Sequence, residues 1–329
     1  MRIASRSVAA LVAVLGLGLA ACGSDDTSSS SPGTPTIVVT TNILGDVVAA
    51  VVGDAAEVVT IMPVGADPHN FQASAQEVDT LMNADAVIVN GAGFEEGLLD
   101  VIENAVDGGI PTFEAISVVD TIDLGADTHA DEDHVDEDHA DEDHADEDHD
   151  HSGIDPHFFT DPMRMAAAVD GIVDFLQAEV GFADPAVLDA SAAAYVAELT
   201  ALDADVAESV AVIPEDRRVL VTNHEVFGYF ADRYGFEVIG AVVPGGGTAD
   251  SVSAGELAAL AAVIEAEGVP AIFADTSSPD DLARTLADEV GAVAVVELYS
   301  ESLGEPDSDG ATYLAMVRTN SERISAALA

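Results

Sequence analysis

Short β-branched runs alternate along this chain with longer Ala/Leu/Val/Glu segments of helical period. The runs predict strands at Thr36 to Thr40, Glu57 to Ile61, Ala86 to Asn90, Val219 to Thr222, Glu237 to Ala241, Ala271 to Ala274 and Ala294 to Glu297. Helices are predicted after most of them, at Leu44 to Val52, Ala75 to Asn83, Gly97 to Ala105, Val226 to Tyr234, Ala254 to Gly268, Pro279 to Val290 and Gly310 to Leu328. Strand–helix alternation of this kind builds an α/β fold of parallel sheets with helical crossovers, and such sheets carry ligands at the carboxyl ends of their strands. Between the two sets, Asp184 to Val212 lacks glycine, and Leu188, Tyr195, Leu199, Leu202 and Val206 recur at helical spacing. One helix of that length spans about 40 Å. That reach suits a spine joining two lobes better than a crossover within one sheet.

At the N-terminus, Arg2 and Arg6 precede an apolar stretch from Val8 to Ala21 that ends in Leu19-Ala20-Ala21-Cys22. The stretch is shorter than the roughly 20 residues of a membrane-spanning helix, so it reads as a signal peptide over residues 1–21 with a lipoprotein cleavage box. Cys22 is then the first mature residue and the lipidation site. It is the only cysteine, so an exported chain has no internal disulfide and its stability rests on packed cores and bound ligand. Residues 22–35, rich in Ser, Thr, Asp, Gly and Pro, form a flexible tether. The remainder divides into an N-terminal lobe at 36–183, the spine at 184–212 and a C-terminal lobe at 213–329.

The formal net charge is −53, with no lysine at all. That excludes nucleic acid and anionic membrane surfaces as electrostatic partners. The segment from Asp127 to Asp150 holds 14 of the 62 acidic residues, which leaves 48 elsewhere against 9 arginines. The acidity therefore belongs to the whole surface, as in a protein adapted to high salt or kept soluble by self-repulsion.

Histidine carries the chemistry, and six of the nine lie in one tract. Residues 130–149 repeat a five-residue Asp/Glu/His unit, placing His134, His139, His144 and His149 at period five, with His129 and His151 on either side. With almost no apolar residues the segment 126–152 cannot pack a core, so it reads as a disordered loop. Its interchangeable imidazoles and carboxylates form an auxiliary, weak metal-binding loop for a borderline cation such as zinc. The other three histidines stand where loops leave strands or enter helices: Asp67-Pro68-His69, Asp155-Pro156-His157 and Thr222-Asn223-His224. Proline stiffens the first two loops, and a neighbouring carboxylate can orient the second ring nitrogen. The three point to one shared metal site.

At these residues the sequence resembles the solute-binding lipoproteins of zinc and manganese ABC importers. The resemblance covers nearly the whole mature chain. It includes the lipobox, Asp67-Pro68-His69, the His-rich acidic insertion, Asp155-Pro156-His157 continuing to Asp161-Pro162, Thr222 to Phe230, and Leu298-Tyr299-Ser300-Glu301-Ser302-Leu303-Gly304. It implies two pseudo-symmetric lobes joined by a rigid spine helix, with one metal between them. Position by position it makes His69, His157 and His224 ligands and puts the fourth, an aspartate in several relatives, at Glu301. It also implies a monomer, lipid-anchored through Cys22 on the extracytoplasmic face of the cell membrane, that passes its metal to an ABC permease. Manganese members commonly place a carboxylate where His224 stands, and three imidazoles favour Zn2+ over oxygen-preferring manganese.

Other classes are weaker. A zinc hydrolase needs an open coordination position and a base, but the chain holds no His-Glu-x-x-His helix, no paired cysteines and no Gly-x-Ser-x-Gly elbow. The chain is therefore expected not to be an enzyme. A manganese importer subunit, and an adhesin or zinc-storage surface protein, remain the alternatives to a zinc importer subunit.

Overall fold

The computed structural model of the protein describes residues 34–124, 153–182, 184–243, 252–291 and 293–329. Cys22 and the histidine tract at 126–152 lie outside the described residues. The first sheet runs β2 (Glu57–Thr60), β1 (Thr36–Val39), β3 (Ala86–Val89), β4 (Thr112–Glu114), all parallel. Helices α1 (Asn42–Val52), α2 (Ala75–Met82) and α3 (Leu99–Asp107) make its crossovers. Next come α4 (Pro162–Glu179) and the 26-residue α5 (Pro185–Val210). The second sheet runs β6 (Glu237–Ala241), β5 (Val219–Thr222), β7 (Ala271–Asp275), β8 (Ala294–Leu298), again all parallel. Its crossovers are α6 (Gly228–Tyr234), α7 (Ala254–Glu267) and α8 (Asp281–Val290), and α9 (Tyr313–Leu328) follows β8. The second sheet repeats the strand order of the first, which makes the two lobes pseudo-symmetric.

Both sheets are buried on both faces, and the period-two alternation of their strands sorts residues between separate cores. Ile37, Val39, Ala86 and Ile88 of the first sheet, with Leu220, Ala271 and Phe273 of the second, join one central core. Into it α1, α4, α5 and α9 send residues such as Val47, Val169, Leu199 and Met316. The alternate positions face outward: Val38, Val87 and Val89 pack with Leu81, Leu98 and Ala105, while Val221, Ile272 and Ala274 pack with Ile264 and Leu286. The spine helix α5 buries Leu188, Tyr195, Leu199, Leu202 and Val206, the predicted stripe. At 1.5 Å per residue it is about 39 Å long.

Among the described residues, one strand and one α-helix were not anticipated. β4 is only three residues and reads Thr-Phe-Glu, too short for a period to register. α4 has a clear start, because Asp161 caps it by accepting from Met163 N–H and Pro162 stands in its first turn. Its buried stripe of Met165, Val169, Ile172, Val173 and Leu176 was legible too. Elsewhere the predicted helices begin late or early by up to three residues, as at α9, where Thr312 accepts from Ala315 N–H and sets the start at Tyr313.

Candidate metal centre

The loops that leave the carboxyl ends of β2, β3, β5 and β8 converge, and with the loop before α4 they bring His69, His157, His224 and Glu301 together, all four buried. One donor atom from each lies within 4.8 Å of the others. Oε1 of Glu301 is 2.7 Å from His69 Nε2, 2.9 Å from His224 Nε2 and 3.3 Å from His157 Nε2. A tetrahedral ion with bonds of about 2.0 to 2.1 Å needs donors on the order of 3.3 Å apart. The donor set therefore fits a small divalent cation after shifts of a few tenths of an ångström to about an ångström. His224 Nε2 approaches Glu301 without hydrogen-bond alignment, and Glu301 Oε2 has no hydrogen-bond partner among the described residues. A buried cluster with such unspent capacity is costly to keep unless something else uses it.

The two Asp-Pro-His elements share a backbone device. Asp67 Oδ1 accepts from the His69 backbone N–H at 3.0 Å, and Asp155 Oδ1 accepts from that of His157 at 2.9 Å. Each aspartate closes its loop over the proline, so the imidazole leaves a fixed turn. The ring contacts differ. His157 Nδ1 reaches Asp155 Oδ1 at 2.8 Å within its own motif, whereas His69 Nδ1 reaches Glu96 Oε1 at 3.1 Å, across the site from β3. Glu96 gets there because Gly97 admits the Phe71 carbonyl; a Cβ on Gly97 would lie 2.0 Å from that oxygen.

The loop after β3 builds the wall between these two histidines. Gly91, Ala92 and Gly93 all have positive φ, a turn that needs glycine at its ends. It swings the buried Glu95 back to accept from Asn90 N–H at 2.6 Å and Thr40 Oγ1 at 2.5 Å. Phe94 then sets its ring 5.3 Å from His69 and 5.5 Å from His157. Asn90 donates to the Pro156 carbonyl, and the Tyr229 hydroxyl donates to the Asp155 carbonyl at 2.6 Å, tying the second Asp-Pro-His loop to both lobes. On the other side, the Asn42 side chain bonds Pro63, Ser302 and Leu303, and so joins the first lobe to the segment carrying Glu301.

Electrostatically the cluster is an anion among imidazoles. Burial works against the charged form of His69, but Glu301 and Glu96 outweigh it and hold its pKa up at about 10. His157 is raised for the same kind of reason: burial opposes the charge, and Asp155 and Glu301 favour it. Burial alone would raise Glu301, yet His224, His157 and His69 keep its carboxyl well below the usual range. Sequence reasoning found the four convergent residues. It missed Glu96, Phe94, Asn90, Asn42 and Tyr229; the one signal near any of them was the Gly91-Ala92-Gly93 stretch directly after a strand.

Comparisons with known proteins bear on the family and the fold. The family model described as "Zinc-uptake complex component A periplasmic" matches residues 37–327. The zinc-binding protein TroA of Treponema pallidum is 30% identical over 326 residues, covering 96% of this chain and 97% of its own. The manganese-binding lipoprotein MntA of Halalkalibacterium halodurans is 26% identical over 314 residues, 94% of each chain. The solved structure of the Treponema pallidum periplasmic zinc-binding protein superposes with a TM-score of 0.77 at 28% identity, over 90% of this chain and all of that one. The chain thus belongs to the zinc-uptake complex component A family, the metal-binding, substrate-binding proteins of ABC transporters.

Proposed function

We propose that the protein captures Zn2+ between its two lobes, with His69, His157, His224 and Glu301 as ligands, and hands it to an ABC permease. The observation that carries this reading is the convergence of three buried imidazole Nε2 atoms on one carboxylate oxygen at 2.7 to 3.3 Å. Three nitrogens and one oxygen suit zinc better than manganese, which prefers oxygen. In this reading the zinc is cargo and the protein is a carrier, not an enzyme. The lipobox at Cys22 supports a lipid anchor on the extracytoplasmic face, and no helix among the described residues is long and apolar enough to cross a membrane. The protein acts as a monomer. The histidine tract at 126–152 gathers zinc weakly and raises its concentration beside the tight site.

Manganese is the second reading, favoured by the carboxylate at Glu301 and by the manganese-binding names of relatives such as MntA. Competition titration of the mature protein lacking 126–152 separates the two. One tightly bound zinc that survives equimolar manganese supports zinc import. Manganese bound as tightly as zinc overturns it.

A further inference from the structure

The three imidazoles of the site are not treated alike. His69 has a carboxylate behind its ring, Glu96, and His157 has another, Asp155. His224 is completely buried, and its Nδ1 has no hydrogen-bond partner among the described residues. A buried ring N–H left without an acceptor costs free energy, and a ligand imidazole almost always donates its second ring N–H to a carboxylate, carbonyl or water. Something behind His224 is missing from the set.

The strand register says where to look. β5 and β7 pair in parallel with Thr222 opposite Phe273. His224 lies two residues beyond Thr222, just past the end of β5, and Asp275 two beyond Phe273, at the end of β7, so both stand at the carboxyl edge of the second sheet. On its other side β7 pairs with β8, where Asp275 is opposite Leu298, three residues before Glu301. Asp275 therefore sits on the strand between the two that deliver the C-terminal ligands. It is buried, at 3% exposure, in a lobe where almost every other acid faces water. Its Oδ1 accepts from Ser277 N–H at 2.9 Å and its Oδ2 from Ser277 Oγ at 2.5 Å. A carboxylate has about four lone-pair positions, so each oxygen retains capacity. Asp275 stands outside the group of four converging donors, so it is not one of them. Burial and the neighbouring Glu301 push its carboxyl up, while His224 pulls it down, so it lies within electrostatic reach of both.

We infer that Asp275 is the positioning residue of His224: when the metal is bound it accepts the His224 Nδ1–H, directly or across one water, completing a set of three carboxylate-backed imidazoles. This rests on the metal-import reading above and adds to it a residue in the C-terminal lobe that fixes one ring and raises that ring's basicity toward the metal. Ser277 holds the Asp275 carboxylate in the meantime.

The test uses the whole mature protein loaded with zinc, which is diamagnetic and leaves the imidazole protons visible by NMR. In the unmutated protein the His224 Nδ1–H should be a slowly exchanging, downfield resonance, assigned by its loss in His224→Gln. Asp275→Asn should weaken zinc binding by about 10- to 100-fold and move that resonance, leaving those of His69 and His157 in place, and Asp275→Glu should recover part of the affinity. Where Asp275→Asn fails to fold, Ser277→Ala, which frees the carboxylate without removing it, should shift the same resonance alone. A His224 proton that exchanges freely in the zinc-loaded unmutated protein overturns the inference. So does an Asp275→Asn protein with the resonance unmoved and affinity within threefold. Either result leaves the import reading standing. An unmutated protein that takes up neither zinc nor manganese sinks that reading, and this inference with it.

Discussion

The N-terminal and C-terminal halves of the site solve the same problem with different stiffness. His69 and His157 each leave an Asp-Pro-His turn whose aspartate holds the histidine's own backbone N–H, and each ring is backed by a carboxylate. Phe94 packs edge-on against both. His224 and Glu301 follow their strands directly, and in each a nitrogen or oxygen has no hydrogen-bond partner among the described residues. The N-terminal half holds both of its rings through carboxylates, whereas the C-terminal half leaves donor capacity that a bound cation would use. Charge divides the same way. The half that offers raised-pKa imidazoles faces the half that offers the depressed carboxylate, so ion pairs across the cleft stand in for the metal until it binds.

That contrast is sharpest in ligand truncation, where the largest effects are expected. Structural zinc sites are worth roughly 10 to 16 kcal/mol for four ligands, so one ligand is worth on the order of 3 kcal/mol, about 150-fold. His157→Ala should exceed that share and lose about a thousandfold in zinc affinity, because it also strands Asp155 in a buried pocket. Glu301→Ala should lose only about tenfold to a hundredfold, since water can take a fourth position. Chelator-competition titrations check the order. Equal losses would mean that the two halves are equally preorganised.

The pH dependence tests the charge division. His69 carries a pKa of about 10 against 6.5 for a free histidine. A raised pKa means that the ion pairs of His69 stabilise the metal-free fold fully below about pH 6.5, and that this contribution is lost as pH rises through about 10. Metal must expel the same proton. Zinc affinity should therefore climb by up to about tenfold per pH unit over that window, with His157, raised as well, adding to the slope. Calorimetry in buffers of different ionisation enthalpy should detect close to one or more protons released per zinc at pH 8. The melting temperature gap between zinc-loaded and metal-free protein should widen from pH 6.5 to 9. No proton release at pH 8 would show that Glu301 does not hold a protonated His69.

Much of this was legible in the sequence, for identifiable reasons. Seven of the eight strands among the described residues stand within a residue of their predicted ends, because most are β-branched runs bounded by turn residues. The spine followed from an uninterrupted helical stripe. His69 and His157 were legible because Asp-Pro-His is a local device, in which proline and an aspartate two residues back dictate where the imidazole points; His224 was legible as a strand-end histidine, and Glu301 only through the family resemblance. What escaped is what depends on chain segments meeting. Glu96 reaches His69 only because the Phe71 carbonyl slides over Gly97. Tyr229 reaches the Asp155 carbonyl from 74 residues away, and Asn42 reaches Leu303 from 261. No spacing along one chain encodes such pairs. β4 escaped because three residues cannot display a period.

The smallest effect separates the two carboxylates of the N-terminal half from each other. Asp155 is buried, holds both the backbone and the ring of His157, and is itself held through its carbonyl by Tyr229. Glu96 makes a single ring contact, and its side chain is 49% exposed. Water can replace an exposed acceptor at little cost, whereas a buried one leaves its donors unpaired. Asp155→Asn should therefore cost about 10- to 100-fold in zinc affinity, the usual range for a carboxylate behind a ligand imidazole. It should also lower the melting temperature of the metal-free protein, because it removes charge from a buried hydrogen-bonded loop. Glu96→Gln keeps an oxygen acceptor and a wet neighbourhood, so its loss should stay within about threefold, with no change in melting temperature. Side-by-side titration and thermal unfolding of the two variants decide it. If Glu96→Gln costs as much as Asp155→Asn, then the stiffness of this half comes from ring contacts alone, and the Asp-Pro-His backbone turn contributes little.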